Sequence, residues 1–346
     1  MEASFLKEYV IAVDAMGGDN APEAIVNGCI EAMQMMPDVR ILLAGPEEKI
    51  NALLANAGEV RSRVEVIDAP DVITMDESPM LAVRKKVKSS MVQAALAVRE
   101  GRAQAIVSAG STGALLACGM LRLGRIRGIE RPALAPVIPG KKKPFLLIDS
   151  GANVDCQPKY LEQFGLMGSV YMQSVQGVEK PAVGLANIGV EVEKGNKLSK
   201  EAYQLMQAQT SYNFVGNAEA RDIPSGDFDV VVADGFDGNI ILKYTEGIVS
   251  TLMGMLKEEM VSGLRNKIGA MLLLPAMRKF KDRMNYKKQG GAPLLGVEGA
   301  VIKAHGSSDA EAIKNAVRQA RLMVENNVVE KIREGLKGLG QDTENA

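Results

Sequence analysis

A contiguous apolar run at residues 10–13 ends in Asp14 and the pair Gly17-Gly18, and a helical pattern follows at once behind Pro22. Because the apolar residues are contiguous rather than alternating, the run predicts a strand covered on both faces, as in a parallel sheet with helices on each side. Pro22 suits a first helical turn, and Asn20 is the candidate cap. A turn between a strand's carboxyl end and a helix's amino end presents backbone N–H groups and the positive end of the helix dipole, which suits an anion. The design recurs, since the turns GGDN, GSTG, SGAN, DGFDGN and HGSS each follow an apolar run and precede a helical pattern. In a parallel α/β sheet such turns gather at the strands' carboxyl ends, so the five predict one cleft for a phosphoryl group and a longer apolar ligand.

The remaining pattern agrees. Strands are expected at 40–44, 64–67, 104–108, 144–149, 181–186, 229–233 and 300–304. Between them fall helices at 22–36, 47–58, 91–99, 115–123, from 158, and at 199–208 with Ser199 as cap. This alternation is that of a three-layer αβα, Rossmann-like, doubly wound and mainly parallel sheet, and no linker divides residues 1–346. Ser308 and Glu311 have capping-box spacing, and the polar, glycine-rich tail after Gly335 is expected to fray.

Each turn nominates ligand-binding residues. The first offers Asp14, Gly17, Gly18 and Asp19; the second offers Gly110, Ser111, Thr112 and Gly113, whose small side chains and hydroxyls admit and hold an anion. Asp149, Gly151 and Asn153 follow the third strand end, Gly235 and Gly238 with Asp234 and Asn239 the fourth, and His305, Gly306 and Ser307 the fifth. Lys86 stands one turn before Ser89 and Ser90 at a helix start, an arrangement that can cap the helix and bind phosphate. Asp234 and Asp237 are close enough for magnesium, but one carboxylate can cap the helix while the other orients a lysine or amide, and no metal is expected. With neither GxxxxGK[ST] nor GxGxxG present, no nucleotide cofactor is expected.

Three cysteines, Cys29, Cys118 and Cys156, lie in unrelated contexts, so neither a zinc site nor a disulfide framework is predicted. Cys156 suggests a nucleophile, but the single histidine, His305, is far from it in sequence, and a lining or packing role is the better reading. A net charge of -1 argues against a nucleic-acid binder. Arg122, Arg125, Arg127 and Arg131 with Lys141, Lys142 and Lys143 form a basic stretch able to steer an acidic partner. The start MEASFLKEY lacks the basic and apolar regions of a secretory signal, so a cytoplasmic location is expected.

A long helical pattern at 248–268, rich in Met and Leu, predicts a homodimer contact. It leads into GAMLLLPAM and RKFKDRMNYKK, where Leu272, Leu273, Leu274 and Met277 adjoin Arg278, Lys279, Lys281, Arg283, Lys287 and Lys288. An apolar projection edged by cations is the pattern of a reversible anchor on an anionic membrane, so 247–288 reads as a projecting dimerisation and membrane-tip hairpin.

VDAMGGDNAPEAIVNG resembles the opening signature of the bacterial phosphate acyltransferases, the PlsX family. The resemblance continues in order through KKVKSSM, SAGSTGA, DSGANVDC, NIGVE, ADGFDGN and AHGSSDA, over roughly residues 9–330. It implies a fold of the isocitrate/isopropylmalate dehydrogenase-like and phosphotransacetylase-like type and formation of acyl phosphate from acyl-acyl carrier protein and inorganic phosphate. It further implies no metal, and such chemistry needs no organic cofactor; NIGVE adds Asn187 as a candidate binding residue, and Lys86, Asp234, Asn239, Lys243 and His305 are the candidate catalytic residues, with Lys86, Lys243 or His305 able to assist the departing thiolate. The implied partners are acyl carrier protein, phosphate, a second copy of the chain, the inner face of the cell membrane and a membrane-bound acyl phosphate:glycerol-3-phosphate acyltransferase. Alternatives are a phosphotransacetylase acting on acyl-CoA and a decarboxylating dehydrogenase of the isopropylmalate type.

Overall fold

The structure is a computed structural model and describes residues 8–284 and 290–341. The first third runs β1 (Tyr9–Asp14), α1 (Glu23–Met35), β2 (Val39–Gly45), α2 (Glu47–Leu54), β3 (Val64–Asp68), α3 (Pro79–Lys85), α4 (Ser90–Arg99), β4 (Ala105–Ser108) and α5 (Thr112–Cys118). The middle holds β5 (Ala133–Leu134), β6 (Val137–Ile138), β7 (Phe145–Ile148), α6 (Pro158–Gln176), β8 (Val183–Asn187), α7 (Lys197–Ala208), β9 (Phe214–Glu219) and β10 (Val230–Val232). Last come α8 (Gly235–Val261), α9 (Leu264–Met284), β11 (Ala292–Leu295), β12 (Ala300–Lys303), α10 (Ala310–Glu325) and α11 (Val328–Gln341).

The three-layer α/β class holds, but the strands form two sheets, ordered β3-β2-β1-β4-β12-β11-β5 and β6-β7-β10-β8-β9. Pairing is parallel except where β11 meets β12 and β5, and where β6 meets β7. The chain changes sheets at Ala135-Pro136, between β5 and β6, where proline has no N–H to extend a ladder. Successive residues of one strand enter different apolar layers. Ile11 and Val13 pack in one buried cluster while Ala12 packs in another, and Leu146 and Ile148 are likewise separated from Leu147. That is why these runs are apolar without alternation. The first of those clusters includes residues of both sheets together with Phe164 and Tyr171 of α6 and Ile313 and Val317 of α10.

Several helix ends differ from expectation. Asn20 does not cap α1: Pro22 holds the cap position, and the Asn20 amide donates to the Ser308 carbonyl at 3.2 Å. Asn196 rather than Ser199 caps α7, and Asp309 rather than Ser308 caps α10 by accepting from Ala312 N at 3.0 Å. Ser308 stands one residue before that cap, with its N–H donating to the His305 carbonyl within the turn. Helix α2 stops at Leu54, and a 3-10 turn, Gly58–Arg63, follows. Helix α11 continues to Gln341 instead of fraying after Gly335, because Gly335 lies against Leu166 and Gly338 against Ser211 with no room for a Cβ.

The stretch 248–268 is not one helix. It breaks at Ser262 and Gly263, where the Ser262 hydroxyl and the Asn266 amide both donate to the Glu259 carbonyl. The apolar residues Leu272, Leu273, Leu274 and Met277 therefore lie along α9, which contains Pro275, and not at the turn. The three leucines are nonetheless open to solvent, with Leu272 80% and Leu273 56% exposed, while Met277 is half-buried, and only Gly235 and Gly238 of α8 are buried. Arg278 and Lys279 are exposed; the side chains of Lys281 and Arg283, and Lys287 and Lys288 entirely, lie outside the described residues. Among the described residues no helix is long and apolar enough to cross a membrane.

Candidate active site

Strands β1, β4 and β12 are neighbours, so GGDN, GSTG and HGSS emerge side by side. Their glycines serve backbone closeness. A Cβ on Gly17 would lie 2.6 Å from both Asp14 Oδ2 and Gly110 N, and one on Gly18, where φ is +98°, would lie 2.8 Å from the Gly306 carbonyl. Asp19 N donates to that carbonyl at 2.8 Å, joining the first and fifth turns. Asp14 is buried; Ser108 Oγ donates to its Oδ2 at 2.6 Å and Met16 N to its Oδ1 at 3.2 Å. Burial raises its pKa, against hydrogen bonds from Ser108, Ser90 and Met16 N and the positive charge of Lys303. Ser111 caps α5, Gly113 packs on Pro79, and Ser89 at the start of α4 is buried with its hydroxyl unbonded.

In the second sheet β7 and β10 are neighbours, and their turns interlock. Asp149 accepts from Leu134 N at 3.0 Å, Ala152 N at 3.1 Å, Asn153 N at 2.7 Å and Asn153 Nδ2 at 3.0 Å. Burial still leaves its pKa raised. A carboxylate so committed shapes the SGAN loop. Asn153 is equally occupied, donating also to Pro132 O at 2.8 Å. Asp234 caps α8, its Oδ1 accepting from Asp237 N at 2.8 Å. Gly235 and Gly238 press on the Asn153 and Asp149 carbonyls, where any Cβ would collide.

The two sets of turns face one cleft of about 640 Å³. Of the residues named from sequence, Thr112, Gly151, Asn239, Lys243 and His305 line it. Its lining combines Lys243, Lys303 and His305 with apolar Leu134, Pro136, Val137, Ile138 and Pro139 from the passage between the sheets and Leu242 and Val249 from α8. Lys243 pairs with Glu246 at 2.8 Å, and His305 Nδ1 accepts from Ser307 N at 3.2 Å and lies 2.9 Å from Ser307 Oγ. Desolvation lowers the His305 pKa, against Glu246 and together with Lys303 and Lys243. Among the described residues no three His, Cys, Asp or Glu groups converge as a metal site.

Sequence reasoning missed Lys303. It ends β12, is only 9% exposed, lines the cleft, and donates from Nζ to Ala304 O and Ala109 O. Desolvation lowers its pKa to about 8, opposed by Asp14 and Asp19 and assisted by Lys243. The available signal was a lone charge within the apolar strand AVIKA.

Other nominations lie outside the cleft lining. Lys86 donates to Val72 O at 2.8 Å and Glu77 at 2.7 Å, so its ammonium fastens the segment before α4. Asn187 donates to Lys194 O at 3.2 Å and accepts from Ile188 N at 2.8 Å, ordering its own loop. In the basic stretch Arg122 donates to Val83 O, Arg125 to Glu130 O, and Lys142 and Lys143 pair with Asp227 and Asp229. Cys156 is half-buried with its pKa pushed up to about 12 by desolvation, which disfavours the thiolate a nucleophile needs.

The fold is that of the phosphotransacetylases. A phosphotransacetylase from Streptococcus pyogenes superposes with a TM-score of 0.62 at 16% identity, covering 92% of this chain and 95% of that one. Another from Staphylococcus aureus gives 0.57 at 15% identity with the same coverage. The sequence narrows the class. Residues 9–331 match the family described as "Fatty acid synthesis protein". A protein named phosphate acyltransferase from Clostridium acetobutylicum is 51% identical over 95% of this chain and 99% of its own length. One of the same name from Clostridium perfringens is 50% identical over 94% and 96%. The chain belongs to the phosphate acyltransferase family and by that membership is an acyltransferase.

Proposed function

We propose that the chain reversibly forms acyl phosphate from fatty acyl-acyl carrier protein and inorganic phosphate. The observation that carries this is the mixed lining of the cleft, in which Lys303, Lys243 and His305 share one cavity with Leu134, Val137, Ile138 and Leu242. The lysines suit phosphate, and the apolar lining suits an acyl chain. A phosphate oxygen attacks the thioester carbonyl carbon, the resulting tetrahedral oxyanion collapses, the C–S bond breaks, and the carrier thiolate takes up a proton. Positioning of the two substrates and electrostatic stabilisation of the oxyanion supply the acceleration, so no organic cofactor is required.

Acyl phosphate is reactive and, with a long chain, poorly soluble. In this reading it feeds glycerol-3-phosphate acylation in phosphatidic acid and phospholipid synthesis by a membrane-bound acyltransferase. The protein then works in the cytoplasm as a homodimer held reversibly at the inner face of the membrane. The exposed apolar residues of α8 and α9 support both contacts. The test supplies phosphate with acyl-acyl carrier protein, acyl-CoA, or a 2-hydroxy acid with NAD, and traps acyl phosphate with hydroxylamine. Hydroxamate from the carrier-bound donor, with kcat/KM at least about tenfold above acyl-CoA, is expected, a margin of about 1.4 kcal/mol. Preference for acyl-CoA would make the protein a phosphotransacetylase, and NAD reduction would make it a dehydrogenase.

A further inference from the structure

We propose that Lys303 is the residue that holds the phosphate nucleophile in the cleft, an assignment that rests on the reaction proposed above. A buried ammonium is ordinarily paired with a carboxylate, because desolvation disfavours its charge. Lys303 is buried, yet no ion pair is found for it among the described residues, and its Nζ reaches only the Ala109 and Ala304 carbonyls. An ammonium has three donors, so one remains for the cleft that this residue lines.

Asp14 is the carboxylate that acts most strongly on Lys303, and the fold engages it elsewhere. Its carboxylate is engaged by Ser108, Ser90 and Met16 N. The charged or titratable groups that act on Lys303 are Asp14 from β1, Asp19 from the following turn and Lys243 from α8, while His305 responds to Lys303 from the next turn. Two lysines held near one another in a partly dry cleft are a site that an anion completes. The competing cations are already satisfied: Lys86 is tied to Glu77 and Val72, and Lys243 to Glu246. His305 turns Nδ1 to Ser307.

Lys303→Met keeps length and bulk while removing the charge. It is expected to raise the KM for phosphate about 10- to 100-fold, the effect of losing one charge-assisted hydrogen bond, with the KM for the acyl donor within about twofold. Inorganic phosphate alone should raise the melting temperature of the wild type and not of the variant. A folded variant with wild-type phosphate KM and wild-type phosphate stabilisation would overturn the assignment. Should the variant not fold, calorimetry on the wild type decides: phosphate affinity must weaken as pH rises between about 7.5 and 9.5, as the ammonium titrates around pH 8. Affinity flat across that interval would also overturn it. Failure of the wild type to make acyl phosphate, with phosphate binding still dependent on Lys303, would count against the proposed reaction and leave this assignment standing.

Discussion

Replacing Lys303 by Met should stabilise the protein at neutral pH, and the size of the gain can be worked from the burial. Its pKa falls from 10.5 to about 8 in the folded state. At 1.36 kcal/mol for each tenfold step, keeping the charged form in the fold costs about 3 kcal/mol. Methionine forgoes the two hydrogen bonds to Ala109 and Ala304, a loss of about 1 kcal/mol each, so the net gain is about 1 kcal/mol. The pH dependence gives the sign. A lysine with a depressed folded pKa penalises the native state fully below about pH 8, and the penalty lifts as pH rises towards 10.5, where the unfolded chain also loses its proton. The variant's advantage should therefore hold at pH 6 to 7, shrink from about pH 8 upward, and reverse by about pH 10.5. Urea unfolding of both proteins across this range measures it, with phosphate omitted because a ligand for the wild type would stabilise it selectively. A variant less stable than the wild type by the same amount at every pH would refute the reasoning, since it would mean the ammonium is not desolvated in the fold.

Gly238→Ala should abolish activity and cost several kcal/mol of stability, because the new Cβ would land on the Asp149 carbonyl where α8 meets the SGAN loop; thermal unfolding beside a hydroxamate assay checks both. Cys156→Ser should keep kcat/KM within about threefold, since a thiol with its pKa near 12 is no nucleophile at neutral pH, and a loss beyond about 10³-fold would restore the acyl-cysteine mechanism. Replacing Leu273 and Leu274 with Glu should release the protein from anionic vesicles while leaving soluble activity intact, because both side chains are exposed on α9 and neither lines the cleft; unchanged co-sedimentation would assign them to packing.

What was legible in the sequence follows from what each residue has to satisfy locally. The runs 10–13, 104–108, 144–149 and 229–233 announce buried strands because helices cover both faces, so no polar alternation interrupts them. The division into two sheets was not legible. It is made by β5 and β6, strands of two residues each on either side of Ala135-Pro136, too short to show a period of any kind. The glycine turns announced themselves, but not the purpose of each glycine. Gly17 makes room for Gly110, Gly18 for Gly306 and Gly238 for Asp149, and these partners stand 93, 288 and 89 positions away in the chain. A glycine admitting a neighbouring backbone and one admitting a phosphate look alike in sequence, because both reflect only the missing Cβ.

Charge is ambiguous for the same reason. Lys86 lies in a conspicuous basic run, and its ammonium is held by Glu77 and Val72 outside the lining of the cleft. Lys303 stands alone between Ile302 and Ala304, where no run draws the eye, and it lines the cleft together with Lys243. Desolvation explains the contrast. A solvated lysine is held at little free-energy cost and says little about function, whereas a lysine inside an apolar strand opposes folding and has to be retained for something that folding does not supply. In a chain built from strand, small-residue turn and helix, the charge that breaks an apolar strand near its carboxyl end is therefore a stronger pointer to the anion than a cluster of charges on an exposed loop.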